Sequence, residues 1–244
     1  MLRLRIQLLK PEKAQTYSHQ DLIHDALVNA WAAAGATTED IIGNGSKPWT
    51  FAALGWHRGH TGFVHTIIVS TSDPDLARLL TRFKPETIQK RRFGEEFLDF
   101  SKANISIEPD PIFPQQTQLA CLFCSPLVLK DKQRSDKKKV WHSNLADCDL
   151  DGRINHRLSK LSGREVKLSI LPDSLYLRAN PKHSVLVNLK RFQNGNKSFV
   201  VGMQAPVILT GSEEDLRLAW YTGLGEKTRN GFGCLGLLET GVGR

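Results

Sequence analysis

The chain opens on strict alternation. Leu2, Leu4, Ile6 and Leu8 are separated by Arg3, Arg5 and Gln7, which predicts a strand with one buried face. The period then changes. In TYSHQDLIHDALVNAWAAAG (16–35), Leu22, Ala26, Leu27, Ala30 and Trp31 recur at helical spacing, with Ser18 placed as N-cap, Asp21 three residues on, and Gly35 at the stop. After a polar loop, WTFAALGWHRGHTGFVHTIIVSTS (49–72) predicts two strands around a glycine-containing turn. Asp73 caps a helix in DPDLARLLTRF with Pro74 at its first position, and GEEFLDFSKANISIEPDP (94–111) reads as one further strand. Strand, helix, strand, strand, helix, strand is the ferredoxin-like order.

A second set of elements follows. LACLFCSPLVLK (119–130) has the apolar continuity of a buried strand, and LADCDLDGRINHRLSKLSG (145–163) predicts a helix after a charged loop. Strands resume in REVKLSIL, SVLVNLKRFQ and KSFVVGMQAPVILTG. Ser212 then caps a helix in SEEDLRLAWYTGLG with acids in its first turn, and GFGCLGLLET closes as a strand. The alternation suggests a structural repeat of the first half, although the two halves share no clear sequence repeat. The expected class is α+β, with domains at 1–112 and 118–244.

Composition narrows the setting. At 244 residues the chain has room for two domains of about 100–120 residues. Its 40% hydrophobic content argues against wholesale disorder. No apolar run approaches the roughly 20 residues of a transmembrane helix. The first residues are too interrupted by charge for a signal peptide. Four irregularly spaced cysteines suit a reducing compartment, so the expected location is cytoplasmic, with no membrane partner. Lys plus Arg exceed Asp plus Glu by 33 to 25, a net charge of +8 that favours polyanionic partners, because each neutralised phosphate releases counterions.

Four glycines, Gly223, Gly225, Gly231 and Gly233, frame Lys227 and Arg229 in GLGEKTRNGFG (223–233). Such a loop admits two readings: a tight helix-to-strand connection, or a cradle whose backbone approaches phosphate. It is not a dinucleotide fingerprint, because it precedes a strand rather than opening a helix, and GNGSKP (43–48) lacks the spacing of a phosphate-binding Walker loop. The loop, with the helix before it and the strand after it, resembles the signature of CRISPR-associated repeat-RNA endoribonucleases of the RAMP superfamily. The segments TYSHQDLIHDALVNAW (16–31), GSKPWTFAALG (45–55), SPLVLK (125–130) and VILTGSEEDLRLAWYTGLG (207–225) agree with that family in order. The resemblance implies two ferredoxin-like (RRM-like) domains packed side by side, with the glycine loop as one lip of an RNA groove.

It also implies a reaction. The ribose 2′-OH attacks the adjacent phosphate without metal or other cofactor, leaving 2′,3′-cyclic phosphate and 5′-OH ends. The implied partners are CRISPR repeat RNA, the retained guide RNA, and other subunits of an RNA-guided effector complex. Such chemistry needs proton carriers and cationic stabilisation of the phosphorane. His24 lies where several relatives carry a histidine, and its helical angle away from Leu22 would let it face the groove; the competing reading is a solvated or capping side chain. Lys47 matches a lysine of the family pattern, whereas Ile41 and Val28 stand where relatives carry a histidine and a tyrosine. That departure leaves open a second reading, an RNA-binding subunit without catalysis. His19 joins the candidates from the helix start, with a structural role as its alternative.

For RNA contact, the candidates are the loop residues, Lys190 and Arg191, and His57, Arg58 and His60 at the hairpin tip, where a solvated turn is the other reading. Arg153, Arg157 and Lys160 add a helical stripe, with a solvated helix face as its alternative. Trp56, Trp141 and Phe192 are candidates for base stacking. The run KDKQRSDKKK (130–139) is either a solubilising loop or a stem contact. His65 is expected to pack in a sheet, and His142, His156 and His183 have no assigned role. Cys121 and Cys124 resemble half a zinc site, but Cys148 and Cys234 supply no second close pair, so alternation in a buried strand explains them better. A zinc-dependent or phosphate-binding enzyme is the third reading.

Overall fold

The computed structural model describes residues 1–10, 12–92, 96–130, 141–192 and 194–239. The first half runs β1 (Leu2–Leu8), β2 (Gln15–Tyr17), α1 (Gln20–Ala33), α2 (Thr38–Ile42), β3 (Trp49–Arg58), β4 (Thr61–Thr71), α3 (Pro74–Leu80), β5 (Gln89–Arg92), β6 (Glu96–Asp99) and β7 (Ala103–Ile107). β4 lies between β3 and β1, and β7 flanks β1 on its other side, all antiparallel. β2 extends the β1 side by pairing Gln15–Tyr17 with Val64–Gly62, while β5 and β6 form a separate hairpin-like pair. The alternation read at residues 2–8 is realised: Leu4, Ile6 and Leu8 are buried against Leu22, Leu27 and Trp31 of α1.

The second half runs β8 (Gln118–Phe123), α4 (Leu150–Ser162), β9 (Ser169–Pro172), α5 (Ser174–Ala179), β10 (Ser184–Arg191), β11 (Lys197–Met203), β12 (Val207–Thr210), α6 (Glu213–Thr222) and β13 (Leu235–Leu237). Its sheet order is β13-β8-β12-β9, the same topological order as β7-β1-β4-β3. The fold is therefore two ferredoxin-like units side by side, the second carrying the β10–β11 hairpin between its second and third strands. Leu150, Ile154 and Leu158 bury one stripe of α4 beneath this sheet, and Leu216, Ala219 and Trp220 bury one face of α6.

Several local expectations are corrected. The N-cap of α1 is His19, whose backbone is extended, not Ser18, which instead meets the His19 ring at 2.8 Å. The polar loop after Gly35 contains α2, started by a Thr37–Asp40 capping box. The single strand read at 94–111 is β6 and β7, separated by a turn at Ser101 and Lys102. The helix read from 145 begins at Leu150, where Asp149 Oδ1 accepts the Gly152 N–H at 2.9 Å, and the strand read from 164 is confined to Ser169–Pro172. Asp73 and Ser212 cap as expected, accepting from Leu76 N and Asp215 N.

A polar and apolar seam joins the two units. Arg3, only 2% exposed, reaches from β1 to donate Nη2 to the Leu235 carbonyl at 2.7 Å, pairs through Nε with Glu108 at 2.6 Å, and covers the Trp220 ring. Thr50 Oγ1 donates to the Phe232 carbonyl at 3.0 Å, Thr222 Oγ1 to Ser72 Oγ at 2.7 Å, and Cys234 packs with Ala52, Leu54 and Ile68. The glycine loop thus leaves α6 along the face of β3.

Candidate functional site

The ends of the loop are buried and its apex is not. Gly223, Leu224 and Gly225 on one side and Gly231, Phe232 and Gly233 on the other are buried, whereas Glu226, Lys227, Arg229 and Asn230 are partly exposed. Two positions show why glycine is required. At Gly233 φ is +66° and a Cβ would lie 1.8 Å from the Leu224 carbonyl oxygen; at Gly231 φ is +83° and a Cβ would meet the Gln20 amide at 2.2 Å and the Phe51 ring at 2.6 Å. The backbone N–H groups of Gly223, Gly231 and Gly233 donate to Ala219, Thr228 and Pro126 carbonyls. These three N–H groups are spent inside the protein, so they form no backbone cradle for a phosphate.

The side chains of the loop apex border a cleft of about 920 Å³ between the units. One wall is α4, where Arg153, His156, Arg157 and Lys160 occupy positions i, i+3, i+4 and i+7 and all line the cleft. The loop supplies Lys227 and Arg229, and the stretch before β3 supplies Lys47. Lys130 lies at the end of the segment after β8. Among the described residues Asp149 and Glu226 are the acids of the lining, and they are outnumbered by its Lys and Arg side chains.

The cations divide by what already holds them. Arg157 donates Nη1 to the Gly223 carbonyl at 2.9 Å and Nη2 to Thr228 Oγ1 at 2.7 Å. Burial pulls its pKa down to about 10, opposed by Glu226, so it stays charged at neutral pH and acts as a strut of the loop. Arg153 donates to the Lys130 carbonyl and pairs with Glu226 at 3.6 Å. Arg229 Nη1 donates to the Gly43 carbonyl at 2.8 Å, fastening the loop to the first unit. Lys47 Nζ donates to the Glu39 carbonyl and lies 3.6 Å from the Glu39 carboxylate. Lys227 lies over the Trp141 ring at 5.8 Å, and Lys160 is an exposed ammonium on the α4 wall.

The histidine candidates are distributed differently from the sequence reading. His24 does not line this cleft. Trp49, held by its Nε1 bond to the Ile41 carbonyl, covers that flank of α1 and stacks on the His24 ring at 6.1 Å, while Asp25 meets His24 Nδ1 at 3.0 Å. His19 is buried at the helix start. Ile41 is buried in the first core, and Val28 packs against it. His156, unassigned from sequence, is the one imidazole among the residues lining the cationic cleft. The signal for it was present, since it stands at i+3 of the stripe already read through Arg153, Arg157 and Lys160.

A second cleft, of about 580 Å³, opens between the β3–β4 hairpin and β10. His57 and His60 line it with Tyr17, whose hydroxyl lies 3.4 Å from His57 Nε2 and whose pKa is pushed up to about 12 by burial. Arg58 is exposed at the hairpin tip, where Trp56 stacks on Phe63 at 5.3 Å. Lys190 and Arg191 are exposed at the far end of β10, Lys190 lying over Phe192 at 5.3 Å, and neither lines either of these two clefts. His65 meets Thr66 Oγ1 at 2.8 Å within the sheet. His183 is buried, and its Nε2 accepts the Leu145 N–H at 3.0 Å. Apart from Lys130, the basic run 130–139 lies outside the described residues. Cys121 is buried on β8 and Cys124 packs against Cys234 at the seam. Among the described residues no group of three His, Cys, Asp or Glu side chains is placed to hold a metal ion. No helix among them is long and apolar enough to cross a membrane.

The sequence profile described as CRISPR associated protein Cas6, C-terminal, matches residues 107–237. No curated protein sequence matches the chain. Among solved structures, one titled as a RAMP protein binding different RNA substrates aligns over 98% of this chain and 100% of its own, with a TM-score of 0.66 and 15% identity. The product of a Cas6-related gene from Pyrococcus furiosus aligns over 98% of each chain, also with a TM-score of 0.66 and 15% identity. A Cas6 product complex aligns over 97% of this chain and 98% of its own, with a TM-score of 0.59 and 14% identity. At these identities the likeness is one of fold.

Proposed function

The chain belongs to the CRISPR-associated Cas6 family, matched through residues 107–237, and from that premise we propose that it is an endoribonuclease that cuts CRISPR repeat RNA at the cationic cleft. The observation that carries the reading is the convergence of α4, the glycine loop and Lys47 on one cleft whose lining is dominated by Lys and Arg. Lys160, Lys227 and Lys130 attract the ribose-phosphate chain, while Arg157, Arg153 and Arg229 hold the loop that presents them. The cut is a transesterification: the 2′-oxygen attacks phosphorus, the P–O5′ bond breaks, and the ends are a 2′,3′-cyclic phosphate and a 5′-OH. Lys47 stabilises the charge that builds on the phosphorane. Several charge contacts along one groove also favour retention of the product as a guide RNA.

A second reading is favoured by one observation. His24 stacks on Trp49 instead of facing the cleft, and Ile41 is buried core, which suits a RAMP subunit that binds RNA without cutting it. Incubating the chain with end-labelled repeat RNA in EDTA separates the two. Cleavage with a cyclic-phosphate end is the expected result. Tight binding without cleavage supports the RNA-binding subunit, and cutting only after a divalent metal is added contradicts the chemistry proposed.

A further inference from the structure

His156 is aimed at the cleft by the register of α4. Leu150, Ile154 and Leu158 bury one side of the helix, and His156 lies about 160° from Ile154 around it, on the flank shared with Arg153, Arg157 and Lys160. It is exposed, whereas the histidines at the N-cap of α1 and within it are enclosed: His19 is 4% exposed and His24 is stacked beneath Trp49. A proton carrier for RNA cleavage has to reach the 2′-OH or the leaving 5′-oxygen within hydrogen-bond distance. Of the residues bordering the cationic cleft, only His156 combines an imidazole with access to the space the phosphate would fill.

We propose that His156 of α4 is the general base of the cleavage reaction, so that the second unit supplies the proton acceptor and the first unit, through Lys47, supplies the cation opposite. This inference rests on the reading that the cationic cleft is where repeat RNA is cut. As the 2′-oxygen bonds to phosphorus, its proton passes to the neutral imidazole. The P–O5′ bond breaks, and the 5′-oxygen takes a proton from water while Lys47 offsets the charge on the phosphate oxygens. The hydroxide so formed takes the proton back from His156, so no oxidant, reductant or metal is consumed. On its own helix His156 is flanked by Asp149, Arg153, Arg157 and Lys160. Facing it from the other walls are Lys47 and Lys130, and Glu226, Lys227 and Arg229 of the loop.

The test is single-turnover cleavage of repeat RNA by the full chain in EDTA, with affinity measured in parallel. His156→Ala and His156→Gln should each slow the chemical step about 100-fold while leaving the dissociation constant within about twofold, because the side chain is exposed and supports no core. The unaltered chain should gain rate as pH rises, as a general base requires, and both variants should lose that dependence. Added imidazole should restore part of the His156→Ala rate. An unchanged rate in both variants, or a retained pH limb, overturns the assignment of His156 while leaving the endoribonuclease reading intact. Absence of cleavage by the unaltered chain overturns both.

Discussion

The two kinds of cation in the cleft predict opposite responses to mutation. Lys160 and Lys227 present ammonium groups to the cleft, whereas the Arg157 guanidinium is engaged by the Gly223 carbonyl and the Thr228 hydroxyl. Each phosphate neutralised on single-stranded RNA contributes about −0.7 to the slope of log affinity against log salt. Replacing Lys160 and Lys227 together by Ala should therefore flatten that slope by about 1.4. Between 50 and 200 mM salt, about 0.6 log units, the double variant should lose affinity about sevenfold less than the unaltered chain. Arg157→Met should behave differently. It removes two charge-assisted bonds and leaves a buried carbonyl unpaired, which costs folding stability about 3 kcal/mol, but it leaves the salt slope of the folded fraction unchanged. Fluorescence anisotropy with labelled repeat RNA across a salt series reads the slope, and urea unfolding reads the stability. An unaltered slope in the lysine double variant, or a flattened slope in Arg157→Met, refutes this division of roles.

Two further predictions concern how the cleft is held. Gly233→Ala places a Cβ 1.8 Å from the Leu224 carbonyl in a backbone at φ +66°, so thermal or urea unfolding should show a loss of about 3 kcal/mol or more. Asp215, buried in the first turn of α6, is pushed up by burial but held low overall by Arg164, the Lys167 N–H and the Ser212 hydroxyl. A carboxyl with a depressed folded pKa adds stability above its unfolded value of about 3.9 and loses it as pH falls through the folded one. Asp215→Asn should therefore be less stable at neutral pH, with the gap to the unaltered chain closing below about pH 4.

Periodicity made the two sheets and the larger helices legible, because one face of each must be buried and the other must not. The 2–8 alternation, the hairpin at 49–71 and the stripe Leu150, Ile154 and Leu158 all follow from that constraint. The short elements gave no such signal: α2 spans five residues and β2 three, too few for a period to show. The β10–β11 hairpin was visible as strands but not as an insertion, since pairing partners are set by topology rather than by local pattern. At the site, helical angle placed His24 away from Leu22 but said nothing of Trp49, which covers that flank from a later strand. Spacing likewise identified the Arg153–Arg157–Lys160 stripe without revealing that Arg157 points into the loop's own carbonyl. His156 was readable at i+3 of the same stripe, and the resemblance drew attention to the first helix instead.

The central claim is that the cationic cleft between the units holds the scissile phosphate. Its most direct test is photocrosslinking of the full chain to repeat RNA made uncleavable by a 2′-deoxy sugar at the cut site, with a photoreactive group on the adjacent nucleotide. Crosslinks are expected at the α4 stripe around His156 and Lys160 and at the loop around Lys227 and Arg229. Crosslinks confined to the second cleft, at Tyr17, His57 and Asn188, would contradict the claim.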